Sequence, residues 1–87
     1  MKTYHLIEVR QVEYLDGYKL KLLFDNGDKK VVDLEKELFG EVFEPLKDLA
    51  LFRQVAVDPE IGTIRWPNNA DFAADTLYDI GVDFKQS

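Results

Sequence analysis

Two turn-forming dipeptides, Asp16-Gly17 and Asn26-Gly27, bracket the alternating segment Tyr18-Lys19-Leu20-Lys21-Leu22-Leu23-Phe24. Asp-Gly and Asn-Gly suit tight turns whose backbone twist matches that of paired antiparallel strands, so each marks a reversal of the chain. Between them, Tyr18, Leu20, Leu22 and Phe24 fall on one side of an extended backbone and Lys19 and Lys21 on the other, the pattern of a half-buried strand. The neighbouring segments must then run antiparallel to it. Upstream, Ile7 to Leu15 is rich in β-branched and aromatic residues, but Ile7 and Val9 share one parity while Val12 and Tyr14 share the other. A strand that keeps both pairs on its core side needs a bulge, near Arg10 and Gln11. Downstream, Lys29 to Asp33 returns as a third strand centred on Val31 and Val32. The first part of the chain is therefore an antiparallel β-meander.

Beyond it the spacing of apolar residues becomes helical but broken. Leu34, Leu38 and Phe39 fit one short turn that Gly40 ends, and Phe43, Leu46, Leu49 and Phe52 follow around Pro45. Gln54 to Asp58 alternates again, Pro59 to Gly62 supplies a loop, and Thr63 to Trp66 closes a second β-hairpin. A final helix spans Ala73 to Ile80, with Phe72, Ala73, Thr76, Leu77 and Ile80 turned inward and Gly81 as its C-cap. The expected class is α+β: a meander plus a second hairpin, five strands in all, with short helices packed on one face and a C-terminal helix. No repeat or linker interrupts residues 1–87, which read as a single domain.

A chain of 87 residues buries roughly 64% of its extended surface on folding, enough for one core, and its 46% hydrophobic content can fill it. There is no cysteine, hence no disulfide, no thiolate nucleophile and no cysteine zinc site; a reducing cytoplasm fits that composition. Glu8 and Arg10 interrupt the first apolar stretch before signal-peptide length, and no later segment approaches a membrane span. The five glycines stand singly at turns and caps, so no loop cradles phosphate.

The residues with most chemical potential lie in Thr63-Ile64-Arg65-Trp66-Pro67-Asn68-Asn69-Ala70-Asp71-Phe72-Ala73-Ala74-Asp75-Thr76-Leu77-Tyr78. Trp66 ends a strand, because Pro67 cannot donate to a ladder and holds its predecessor extended. Asn68 and Asn69 tolerate left-handed backbone and, with Asp71, can bond local amides. Asp71 is expected to accept amide hydrogen bonds at this strand-to-helix corner, holding Trp66 over the helix. Asp75 falls in the first helical turn, where its charge opposes the helix dipole. The rival reading makes Asn68, Asn69, Asp71 and Asp75 oxygen donors to a divalent cation or small ligand. The turn reading is the simpler, since no loop of regular acidic spacing with a central glycine is present. His5 is the only histidine and lies ahead of the first strand, so neither a two-histidine metal site nor a catalytic role is expected of it. No catalytic residue and no cofactor are assigned.

The same stretch, preceded by Asp58-Pro59-Glu60-Ile61-Gly62-Thr63-Ile64 and by Phe24 to Leu34, resembles the small prokaryotic family known as domain of unknown function 2442, over nearly the whole chain. The family signature of Trp, any residue, Asn, Gly, Ala, Asp and a later Leu-Tyr is matched by Trp66, Asn68, Ala70, Asp71, Leu77 and Tyr78. Asn69 stands where the family usually has glycine, and Ala74 where it often has proline. Both are lenient exchanges, since asparagine tolerates left-handed backbone and alanine favours helix. The resemblance implies a small α+β protein, sometimes joined to a helix-turn-helix domain, whose gene often neighbours that of a toxin–antitoxin-like partner. It carries over no enzymatic residues. A non-enzymatic interaction module with a protein partner encoded nearby is therefore the functional expectation.

Charge narrows the class of partner. Seventeen acidic residues against eleven basic ones give a net charge of −6, which repels phosphate backbones. Lys19, Lys21, Lys29 and Lys30 gather at the hairpin tips, where they read as guards of strand edges or, alternatively, as an electrostatic contact for a partner. Glu35, Glu37, Glu41 and Glu44 make an acidic face suited either to solvent or to a basic partner. Fluorescence anisotropy with a random DNA duplex at physiological salt should show no binding in the low micromolar range. Tight binding that falls steeply with added salt would mean that the lysines act together.

Overall fold

A computed structural model describes residues 7–84, so His5 lies outside the described residues. Strands β1 (Val9–Asp16), β2 (Lys19–Phe24) and β3 (Lys29–Asp33) form the meander. Single 3-10 turns at Glu35–Glu37 and Glu44–Lys47 follow, then α1 (Leu49–Phe52). The hairpin β4 (Ala56–Asp58) and β5 (Thr63–Arg65) leads to α2 (Ala74–Ile80) and a last strand, β6 (Val82–Asp83). The strands form a four-stranded sheet in the order β1-β2-β3-β6 and a separate two-stranded sheet, β4-β5. The fold is α+β. Among the described residues no helix is long and apolar enough to cross a membrane.

The parity break in β1 is a bulge: the register with β2 shifts between Val9 and Gln11, so Val9 is buried while Val12 and Tyr14 also pack against the core. A second shift lies between Tyr14 and Asp16 and moves the hairpin turn. Asp16 pairs with Lys19, which makes Gly17 and Tyr18 the turn residues rather than Asp16 and Gly17. Gly17 takes the left-handed backbone at φ 51° that this turn requires. Tyr18, expected in β2, is thereby released to act as a strut. Its hydroxyl donates to the Lys47 carbonyl at 2.5 Å and its ring meets Phe52 edge-on at 5.2 Å. The core-facing side of β2 is as expected: Leu20, Leu22 and Phe24 are buried, joined by Val32, Leu34, Leu46, Phe52, Ile64 and Leu77.

One local device recurs through the connections. The side chains of Asn26, Asp33, Asp48, Asp58 and Asn68 each accept a hydrogen bond from the amide two residues on, at 2.9–3.1 Å. Short polar side chains that fold back on the backbone stabilise turns in this way. Part of the chain's acidity therefore serves its corners.

The sheet has one strand more than its pattern predicted. β6 pairs Asp83 with Lys30 and Val82 with Val31, and the Phe84 amide donates to the Lys29 carbonyl at 2.9 Å. A two-residue strand is too short to show alternation. Its arrival corrects the reading of Lys30, whose side chain is only 13% exposed and guards no free edge. The Lys30 ammonium donates to the Tyr78 carbonyl at 3.0 Å, lies 3.9 Å from the centre of the Tyr78 ring and pairs with Asp83 at 3.7 Å. Lys30 thus clamps the last turn of α2 and β6 to β3.

Gly81 follows α2, but with φ −71° it is extended rather than left-handed, so handedness does not explain the glycine. Space does. A Cβ built there would lie 2.9 Å from Lys30 Cβ and 3.0 Å from the Leu77 carbonyl oxygen. Neither can give way easily, because one belongs to the clamped lysine and the other is helix backbone. Gly81→Ala should therefore push α2 away from β3 and lower stability by about 1–3 kcal/mol, the usual range for overpacking. Urea unfolding of the two proteins measures it, and a variant as stable as the parent would show that the contact yields.

Candidate functional site

The corner between β5 and α2 is built inward from Trp66. Its indole is 2% exposed and donates from Nε1 to the Phe52 carbonyl at 2.8 Å, meeting one of the carbonyls that the end of α1 leaves without a helical partner. The ring lies 5.6 Å from Phe52 and 5.9 Å from Phe72, centre to centre. The chain then doubles back: the Trp66 amide donates to the Ala70 carbonyl at 3.0 Å, and the Asn69 amide to the Trp66 carbonyl at 2.9 Å. Asn69 has φ 70°, so it does occupy the left-handed backbone expected of an asparagine here. Thr63, on β5, ties the far side by donating from its hydroxyl to the Phe72 carbonyl at 2.7 Å.

Asn68 does the work expected of Asp71. Its Oδ1 accepts from the Ala70 amide at 3.1 Å, and its Nδ2 donates to the Val42 carbonyl at 3.0 Å, joining the corner to the loop between the two 3-10 turns. Asp71 instead contributes backbone, as the partner of Arg65 in an isolated antiparallel bridge. Its side chain is exposed, and no described residue donates a hydrogen bond to its carboxylate. The expectation that this carboxylate holds Trp66 in place is thus corrected: Trp66 is held by its own indole and by the Trp66–Ala70 backbone bonds.

Asp75 lies in the first turn of α2, as expected, and accepts from the Thr76 amide at 3.0 Å. Asp71 lies before that helix, so the spacing of four places no carboxylate pair on one helical face. Tyr78 belongs to a different neighbourhood. Its hydroxyl donates to the Asp28 carboxylate, and the Asn26 side-chain amide donates to that carboxylate at 3.3 Å and to the Tyr78 oxygen at 3.4 Å. Its ring packs edge-on against Phe24 at 5.0 Å. Sequence reading missed this cluster of Asn26, Asp28, Lys30 and Tyr78, because its members come from a hairpin turn and a helix some fifty positions apart in the chain.

The six candidate residues therefore divide into a buried anchor (Trp66), a turn (Asn68, Asn69), two exposed carboxylates (Asp71, Asp75) and a strut to the meander (Tyr78). Among the described residues no three His, Asp or Glu side chains converge as a metal centre would require. The cavity beside Trp66, about 320 Å³, is lined by Val57, Pro59 and Pro67 and crossed by the Arg65–Asp58 ion pair at 2.8 Å. A groove of about 560 Å³ runs between Ile7, Glu8, Ile61 and Ala74, with Asp75 and Tyr78 at its side. Asp75 lines the second of these, whereas Asp71 lines neither.

The loop that Asn68 ties to the corner carries a feature that sequence reading left out. Phe39 and Val42 are 67% and 49% exposed, within the same segment as Glu35, Glu37, Glu41 and Glu44. The apolar spacing groups Phe39 with Leu34 and Leu38 in one short turn, but that turn ends at Glu37, and of the three only Leu34 and Leu38 are buried.

A family model described as "Protein of unknown function (DUF2442)" matches residues 9–83. Neither a curated protein nor a solved structure matches the chain.

The corner's geometry ranks three substitutions. Asn68→Ala, which removes one amide acceptor and one tie to Val42, should destabilise the fold by about 1–2 kcal/mol. Asp75→Ala should cost about 0.3–1 kcal/mol through the first turn of α2. Asp71→Ala should stay within about 0.5 kcal/mol of the parent, as exposed side chains without partners do. Urea melts give the order. A large loss at Asp71 with none at Asn68 would reverse the assignment.

Proposed function

The chain belongs to the DUF2442 family, and on that premise we propose that it is a non-enzymatic protein-interaction module: the regulatory or antitoxin-like partner in a small cytoplasmic two-gene system. The observation that carries this reading is the amount of large apolar surface left uncovered on a small acidic chain. Phe39 and Val82 keep 67% and 70% of their surface exposed, and Val42 keeps 49%. Exposed apolar side chains bordered by charge are what a protein partner covers, because their burial drives association while the charges select orientation and partner. The sign of the charge favours a basic partner, as a protein directed at nucleic acid would be.

The corner around Trp66 supports this reading indirectly. Its most distinctive residue is occupied in the core, which leaves its surface to Asn69, Asp71 and Asp75 and gives a small ligand little to grip. Surface chemistry elsewhere then carries the function.

Co-expression of the tagged chain with the product of the adjacent gene, followed by affinity purification, tests the proposal. A stoichiometric complex that weakens as salt is raised is the expected result. Elution of the tagged chain alone, with both proteins soluble, would remove the module reading.

A further inference from the structure

We infer that Phe39 and Val42 form the anchor of this module, presented to an apolar patch on the partner that is bordered by lysine and arginine side chains. The inference rests on the interaction reading above and identifies the surface that performs it. Residues 38–43 link the two 3-10 turns, and both ends of the link are fixed. Leu38 is buried, and the Phe43 ring packs against Phe72 with 4.6 Å between centres. The backbone between them is held as well. The Gly40 carbonyl accepts from the amides of Phe43 at 3.1 Å and Glu44 at 2.8 Å, while the Val42 carbonyl receives the Asn68 side chain at 3.0 Å. Phe39 itself donates from its amide to the Glu37 carbonyl at 3.1 Å. An aromatic side chain on so restrained a backbone loses little further freedom when a partner covers it, which is the economy that makes rigid aromatic residues interface hot spots.

Charge complementarity identifies the occupant. Around Phe39 and Val42 the chain carries Glu35, Glu37, Glu41 and Glu44 against Lys36 and Lys47. Lys47 pairs with Glu44 at 3.0 Å, so Glu35, Glu37 and Glu41 supply the acidic border. A second copy related by a two-fold axis through this surface would bring the same acidic border against itself, and like charges across an interface oppose pairing. Nucleic acid and anionic membrane surfaces are repelled for the same reason. A protein surface with an apolar centre and a cationic rim satisfies both parts: the centre covers Phe39 and Val42, and the rim meets the glutamates.

A synthetic amphipathic helix of leucine and lysine supplies that chemistry without a specific sequence, and its leucine–glutamate counterpart removes only the charge. Titration of each into isotope-labelled protein, followed by amide NMR, should show the leucine–lysine peptide shifting amides of residues 38–43 and the leucine–glutamate peptide shifting none. Phe39→Ala, at an exposed position, should keep the parent's urea midpoint and bind the leucine–lysine peptide at least tenfold more weakly, with Phe39→Leu in between. Absence of binding, shifts centred on another surface, equal binding of the acidic peptide, or binding retained within twofold in Phe39→Ala would each overturn the inference. The co-expression experiment tests the module itself without reference to Phe39, so the two can fail separately.

Discussion

A buried hydrogen bond from the Trp66 indole to the Phe52 carbonyl ties the strand-to-helix corner to the end of α1. A tryptophan placed in a core buries a large ring together with an N–H that must find an acceptor. Here the acceptor is a carbonyl at the end of α1, a helix of only four residues. Each group answers the need of the other. Around that bond, Phe52 also receives Tyr18 from the meander and Tyr14 edge-on at 6.2 Å, while Trp66 receives Phe72 from the approach to α2. Phe52 thus has aromatic neighbours both from the meander and from the end of the second hairpin.

Much of this was legible in the sequence because turn chemistry and alternation agree. β3 has the bounds read from the pattern, and the parity change between Val9 and Val12 located a real bulge. What escaped was set by contacts between distant segments. The hairpin turn moved one residue because a second register shift beside it was not visible in the alternation. β6 escaped because two residues have no period. Lys30 reads as a surface lysine until α2 and β6 close over it, after which its ammonium has a carbonyl, a ring and a carboxylate to satisfy it.

The candidate site was legible as a place and misread in its parts. Residues 66–75 do form a strand-to-helix corner, and an Asx side chain does accept a local amide there, but the side chain is that of Asn68. Both Asn68 and Asp71 can bond local amides, and local spacing does not decide between them. The Asn68 tie to Val42 does, since it exists only once the loop after β3 has folded against the corner. Trp66 looked like a site because it is unique in the chain; a large apolar ring in a chain this small is more valuable to the core. Phe39 was misplaced for the complementary reason: helical spacing cannot tell a packed position from an exposed one once the helix shrinks to a single turn.

The position of β6 in the sheet carries a kinetic consequence. β1, β2 and β3 are joined by tight turns, so their pairing closes only short loops and can proceed early. Lys30 meets Asp83 only after the helical turns, the second hairpin and α2 have returned the chain to the meander's edge. Contacts between residues so far apart in sequence carry the entropy of a long closure and form late. Two residue pairs, the Phe84 amide on the Lys29 carbonyl and the clamped Lys30 hold that strand, fewer ties than join β1 to β2 or β2 to β3. The meander therefore pairs before β6 docks on its edge.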